Sequence, residues 1–247
     1  MSIPEYLLKF GELKYMKSFV EGNIYFSHAK RFREIEDELR RGQGDKLEGK
    51  AVVNSTRVRV TDLDNPNNVI DAKVGDERIT VMVESVDNMP VFCLTGLYNE
   101  NFCVEENRVI VNKNVLETIK EHFPKADTVV LIRKPAEFIH KIETEFVCKV
   151  VHEKVQYLNM NPVGMEWVKF VHNGNVEKLD GKTNYTMTKD NSHRILLCKD
   201  LFFSKEKEYR LILPNELISS PKIYKFSKID NAEIIEFDKF CSNGFNI

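Results

Sequence analysis

Long apolar runs are missing from this chain, and none approaches the roughly 20 residues that a membrane-crossing helix needs. Closely spaced cysteines are missing too. The five present (Cys93, Cys103, Cys148, Cys198, Cys241) are odd in number and far apart, which excludes a zinc knuckle and suggests no disulfide framework. Cys93, Cys148 and Cys198 lie in apolar runs, where a thiol behaves as a small hydrophobe. No basic-then-apolar leader starts at Met1, so a reduced, cytoplasmic protein without a membrane partner is expected. A basic excess is also lacking, with 36 basic against 38 acidic side chains. That balance leaves nucleic acid open as a substrate but gives it no support as a stoichiometric partner.

Several chemical signatures are absent. There is no Gly-x-Gly-x-x-Gly, no phosphate loop ending Gly-Lys-Ser/Thr, no His-Glu-x-x-His and no Gly-x-Ser-x-Gly. The six histidines are scattered, so no metal is expected. Asp45 and Glu48-Gly49-Lys50 superficially match an acid plus Glu-x-Lys nuclease core, but three residues cannot span the hairpin that usually separates them. In Arg40 to Gly49, two glycines flanked by Arg and Asp could expose amide donors to a phosphate; a helix-ending loop with solvated charges fits the same residues.

What is present is an alternation of β-prone and helical segments without βαβ regularity. Glu12–Val20 carries apolar residues at Leu13, Met16, Phe19 and Val20, the spacing of one helical face, and Gly22-Asn23 ends it. Further helices are expected over Phe32–Arg41, from an Asn114 cap to before Pro124, and over Pro135–Lys141. Strands are expected at Asn23–Ser27, Ala51–Val60, Val69–Lys73, Ile79–Val86, Val91–Leu97, Val109–Val111, Thr128–Arg133, Phe146–Tyr157, Leu196–Phe203, Tyr209–Leu213 and Ala232–Phe237. Glu5–Phe10 reads as a first strand or an irregular arm, Met165–Phe170 as a helical turn or a strand, and Gly174–Thr188 as a mobile loop. The expected fold is α+β: one domain over 1–247, with about ten strands in a mainly antiparallel split sheet and about four helices.

The stretch Leu201 to Pro214 concentrates the chemistry. It reads as a turn feeding a strand that opens on Glu208-Tyr209-Arg210. Residues i and i+2 of a strand share a face, so Glu208 and Arg210 project together and Tyr209 projects oppositely. That pair is either an exposed ion pair on an edge strand or part of a site.

Tyr6-Leu-Leu-Lys9-Phe10, Gly22-Asn-Ile-Tyr25-Phe26-Ser27, Phe32-Arg33, Val91-Phe-Cys-Leu-Thr95 and Glu206-Lys-Glu208-Tyr-Arg210 together resemble a large uncharacterised bacterial domain family. In that family a Tyr-Lys strand, a helix and a Gly-x-Leu/Ile-x-Phe-Ser strand precede Phe-Asn-Asp, and the C-terminal signature is Glu-x-Glu-x-Arg. Here Arg33-Glu34 replaces the Asn-Asp, and the Trp often found shortly before the final acid is missing. The family's layout is similar to that of ADP-ribosyltransferases. The resemblance implies an enzyme cleaving the nicotinamide–ribose bond of NAD, with NAD as substrate, a protein, nucleic-acid or water acceptor, and a setting in toxin, phage or antiphage-defence biology. It also implies roles. Glu208 would face the developing oxocarbenium charge. Tyr6 or Lys9 would bind the adenosine-side ribose or the diphosphate, Tyr25 and Ser27 would border the nicotinamide, and Arg210 would pair with a phosphate. A non-catalytic nucleotide- or protein-binding module of the same fold is the alternative, and a metal-dependent nuclease comes third.

Overall fold

The computed structural model describes residues 3–38, 47–54, 57–61, 65, 67–73, 78–146, 149–159, 170–172, 176–179, 182–185 and 188–247. The chain begins with strand β1 (Tyr6–Gly11), helix α1 (Leu13–Val20), β2 (Asn23–Phe26) and helix α2 (Ala29–Glu38). Two nested antiparallel ladders follow: β3 (Lys50–Asn54) and β4 (Arg57–Thr61) pair with β6 (Arg78–Met82) and β5 (Val69–Lys73), respectively. A short α3 (Glu84–Asp87) leads into β7 (Val91–Leu97), β8 (Phe102–Glu105), β9 (Arg108–Val111), α4 (Lys113–His122), β10 (Thr128–Ile132) and α5 (Pro135–Glu145). Then come β11 (Val151–Lys154), β12 (Gln156–Leu158), β13 (Val176–Leu179), β14 (Lys182–Tyr185) and β15 (Cys198–Asp200). The chain closes with β16 (Glu208–Ile212), β17 (Lys222–Lys225), β18 (Ala232–Glu236), a helix at Phe237–Asn243 and β19 (Phe245–Asn246).

The architecture is mixed, with helices on both faces of antiparallel sheet. Six strands form the main sheet in the order β11-β16-β7-β1-β10-β18, and every neighbouring pair is antiparallel. One face packs Leu7, Phe92, Leu94, Val130 and Leu211 against Met16 and Phe19 of α1, Ile24 and Phe26 of β2, and Phe138 of α5. Each such burial stabilises by about 1.5–3 kcal/mol. The opposite face carries two separate apolar clusters. One gathers Leu8, Phe10, Val129 and Leu131 under α4 and the closing helix. The other gathers Val91 and Ile212 under α2, α3 and the 3-10 segment His193–Leu197. Glu208 and Arg210 project from this second face, since Thr95 and Cys93 opposite them alternate with Phe92 and Leu94 of the first.

Segment by segment, the expectations need correcting in places. Among the described residues there are nineteen short strands rather than about ten. The four expected helices are present as α1, α2, α4 and α5, but α3, Lys189–Ser192, Phe237–Asn243 and three 3-10 segments add to them. The expected single strand over Ala51–Val60 is two strands, because alternation carries no information on where a ladder changes partner. Ile79–Val86 ends early, as Glu84 starts α3. Helix α4 begins after Asn112, not Asn114, and no cap side-chain hydrogen bond forms. Leu196–Phe203 is mostly 3-10 helix around the three residues of β15. Within Gly174–Thr188, expected as a loop, β13 and β14 pair antiparallel. Arg40–Lys46 and Met165–Lys169 lie outside the described residues.

Gly22 follows α1 at φ +91°, and a Cβ there would sit 2.2 Å from the Phe226 carbonyl oxygen. The Phe226 amide donates to the Gly22 carbonyl at 2.9 Å, so neither backbone can retreat without losing the bond that starts the β2–β17 pairing. Gly22→Ala should therefore destabilise by about 2 kcal/mol or more, read as a lowered thermal midpoint.

His193 is buried, and its Nδ1 has no hydrogen-bond partner among the described residues. Burial, with Lys149 and Arg194 nearby, pushes its pKa down to about 4, against a smaller opposing effect of Asp190. An unfolded histidine titrates near 6.5. Between about 6.5 and 4 the unfolded chain thus binds a proton that the folded chain refuses, and stability falls as pH drops through that window. The urea midpoint should decrease between pH 7 and pH 5, and His193→Gln should flatten that dependence.

Candidate active site

The loop before β16 delivers two glutamates to one place. Asp200 accepts from the Phe202 amide at 2.9 Å and starts the 3-10 segment Leu201–Glu206. Lys207 then adopts a left-handed conformation (φ 51°), and its carbonyl accepts from the Gly96 amide at 2.7 Å. The Thr95 hydroxyl donates to the Glu206 carbonyl at 3.0 Å. These bonds from β7 fix the register in which Glu208 lies opposite Thr95 and Arg210 opposite Cys93. The Glu208 amide donates to the Tyr157 hydroxyl of β12 at 2.7 Å.

Glu208 and Arg210 share a face as the strand period requires, and Arg210 Nε donates to Glu208 Oε2 at 2.6 Å. Tyr209 points the other way, into the first core cluster, with its hydroxyl 2.7 Å from His152 Nδ1. The pair is not an exposed edge contact. Strand β16 lies between β11 and β7, and Arg210 is 1% exposed.

Around the pair the chain assembles a buried ionic network. Glu48 grips the guanidinium in a fork, with Nη1–Oε1 at 2.6 Å and Nη2–Oε2 at 2.9 Å, while the Leu196 carbonyl accepts a further bond from Nη1. Lys199 donates to Glu208 Oε1 at 2.5 Å and to Glu206 Oε2 at 2.7 Å. The other Glu206 oxygen lies 2.5 Å from His122 Nδ1 at the end of α4. Glu48 is itself held: Arg33 donates to its carbonyl at 2.6 Å and forms a fork with Asp87.

The network pushes the two neighbouring carboxyls apart. Burial alone would raise Glu208, but Arg210 and Lys199 outweigh it and hold its pKa well below the usual carboxylate range. At Glu206 burial prevails over Lys199 and His122, and its pKa is raised. Lys199 and Arg210 both stay firmly protonated, since the carboxylates outweigh the cost of burying them. Two carboxyls with opposite shifts at one site form the pattern from which acid and anion roles are drawn.

A cleft of about 140 Å³ opens beside the network. Lys9, Glu48, Lys199, Glu206, Glu208 and Arg210 contribute its polar lining; Leu8, Phe10, Phe32, Leu94 and Phe123 contribute most of the apolar lining. Strands β1 and β7 pair only over Tyr6–Leu8 and Thr95–Leu97. Beyond that ladder Lys9 Nζ donates to the Cys93 carbonyl at 2.7 Å and sits 4.7 Å from the centre of the Phe92 ring. The Cys93 thiol, raised to about 12 by burial, is no nucleophile here.

Of the residues singled out from sequence, Lys9, Glu208 and Arg210 meet at this cleft. Tyr6, Tyr25 and Ser27 are not among its lining residues. Tyr6 packs edge-on against Phe102 and Phe245. Tyr25 is 54% exposed on β2 opposite Ile223, and Ser27 is buried in a bridge with Val91. Phe26, between them, is core.

Sequence reasoning gave no role to Lys199, Glu206 or His122, and assigned Glu48 only to the nuclease reading. Lys199 carried a usable signal, as it is the first charge after the apolar run Ile195–Cys198. Glu48 and His122 carried none, since only tertiary packing brings them to Arg210 and Glu206. Among the described residues no group of three or more His, Cys, Asp or Glu side chains is placed to hold a metal, and no helix is long and apolar enough to cross a membrane. No family model, curated protein or solved structure matches this chain.

Proposed function

We propose that the cleft is the active site of an ADP-ribosyltransferase-like enzyme that cleaves the nicotinamide–ribose bond of NAD, with Glu208 as the residue facing the reacting centre. The observation that carries the reading is that Glu208, only 12% exposed, stays ionised at the edge of a ring-sized cleft. Leaving-group departure from a ribosyl carbon builds positive charge, and a pre-placed carboxylate lowers that barrier without reorganising. Arg210 takes a different role from the phosphate ligand expected of it. Its guanidinium is engaged by Glu48, Glu208 and Leu196, so it holds Glu208 in place.

Size limits what enters. A cavity of roughly 150 Å³ holds a benzene-sized guest, so a cleft of about 140 Å³ takes one ring of the dinucleotide, and the remainder lies outside. The test is incubation with NAD, with and without cell extract as a source of acceptor, while nicotinamide is measured. Release that disappears in Glu208→Gln supports the reading; no release under either condition, or equal release by the variant, ends it.

The engagement of nearly every charged atom favours a second reading, a non-catalytic module that binds a nucleotide. It predicts a rise in melting temperature with NAD or ADP and no turnover.

A further inference from the structure

The cleft is built on the second face of the sheet. Leu8 lies opposite Thr95, Thr95 opposite Glu208 and Cys93 opposite Arg210, and Phe10, two residues past Leu8, shares their face. These side chains form its floor. Phe32 of α2 packs on one of the two apolar clusters of that face, and Phe123 stacks on Phe10 of the other, so the space lies in the gap between them. Lys9 borders the cleft only through its strand. Opposite Val130, it turns its amine to the first face, onto the Cys93 carbonyl beside the Phe92 ring. We propose that the cleft binds a flat, single-ring organic cation bearing N–H donors, such as an aryl amidine, with Phe123 as its stacking platform and Glu208 as its acceptor.

Shape selects the ring. Phenylalanines 10, 32 and 123 line a space of about 140 Å³, close to that of a benzene-sized guest. Phe123 is exposed, so its ring has surface that a ligand can cover. Aromatic faces carry partial negative charge and attract a cation lying over them.

Hydrogen bonding selects the charge. Four N–H···O bonds already engage the Arg210 guanidinium: one to Glu208, two to Glu48 and one to the Leu196 carbonyl. Lys199 donates to Glu206 and Glu208, and its ammonium lies 4.3 Å from the centre of the Phe203 ring. A carboxylate offers about four lone-pair sites, and Glu208 meets Lys199, Arg210 and Glu206 with capacity left over. Exposure points the same way, at 12% for the Glu208 side chain against 8% for Lys199 and 1% for Arg210. A ligand therefore meets an acceptor, while an anion would find the donors engaged. The proposal rests on the reading of this cleft as the ligand site and narrows it. The nicotinamide ring of NAD is flat, positively charged and carries an amide N–H donor, whereas the dihydro ring of the reduced dinucleotide has lost the charge.

Benzamidine, benzamide and benzoate share one shape and carry positive, zero and negative charge, so titration calorimetry of the three isolates the effect of charge. Benzamidine should bind about tenfold or more tightly than benzamide, the scale of a hydrogen bond to a charged group, with benzoate weakest. Phe123→Leu should weaken benzamidine about tenfold, and Glu208→Gln should abolish its lead over benzamide. Equal binding of the three, no binding of benzamidine, or undiminished binding by Phe123→Leu overturns the proposal. If Glu208→Gln does not fold, the order of the three ligands on the unaltered protein and the Phe123→Leu titration decide. No turnover is involved. Preference for benzamidine without nicotinamide release upholds this inference and ends the catalytic reading; release of nicotinamide without that preference does the reverse.

Discussion

Glu48→Ala is expected to destabilise the protein by about 3–5 kcal/mol, the range for removing one partner of a buried ion pair. The cost arises less from the lost attraction than from what remains. Arg210 is 1% exposed, and its Nη2 would lose the Glu48 oxygen it now contacts at 2.9 Å. The comparison that isolates this cause is the double change Glu48→Leu with Arg210→Met. Replacing both charges with apolar groups removes the stranded cation, and its cost should be well below that of the single change. Urea denaturation of the three variants gives the answer. A single variant as stable as the parent would show that the fork between Glu48 and Arg210 contributes nothing.

Glu208→Gln should lower any NAD-cleaving rate by about 10²–10³-fold, the usual effect of deleting one preorganised electrostatic group. The substitution keeps the shape and one acceptor oxygen but removes the charge that Arg210 and Lys199 hold in place. The loss should fall on kcat rather than KM, because the charge is complementary to the transition state and not to the neutral ribose of the bound substrate. Glu206→Gln separates position from charge. It alters the neighbouring carboxyl without touching the one facing the ribosyl carbon, so the two variants should differ. A fall in KM-dependent binding with kcat unchanged for Glu208→Gln would move Glu208 from chemistry to ligand binding.

The acid side of the pH profile depends on the same residue. Glu208 has a folded pKa below its unfolded value of about 4.3, so the stability it contributes is fully present above that value and is lost as pH falls through the folded one. Lys199 has the opposite sign: its contribution is present below about 10.4 and is lost only as pH rises through its raised folded pKa.

Much of this frame was legible before any coordinates. Period-3.6 spacing placed α1, and a compact apolar run placed β7 at the centre of the sheet, because both signals are local and survive burial. Period 2 placed Glu208 and Arg210 on one face of β16, which the 2.6 Å contact between them confirms. Local pattern had no access to the environment of that face. An exposed ion pair and a buried one have the same sequence, and the difference lies in β7 and β11 flanking β16. The other half of the network was harder still. His122 ends an ordinary amphipathic helix, and Glu48 follows a glycine-containing stretch of sequence that suggested a phosphate loop or a solvated one. Tyr25 illustrates the reverse case. Its aromatic ring suggested a stacking surface, but strand alternation puts Ile24 and Phe26 in the core and Tyr25 outside.

The fork between Glu48 and Arg210 joins positions 162 residues apart in sequence. Until Arg210 has emerged from the ribosome, Glu48 has no guanidinium to meet, and the central strand β7 lacks its neighbour β16 on one edge. Closing so wide a loop late in synthesis is slow, and an unpaired sheet edge is exposed in the meantime. The site is therefore among the last parts of the molecule to form. A chain truncated before β16 would keep α1, β1 and β10 but carry an open strand edge, a form more prone to associate with other copies than to bind a ligand.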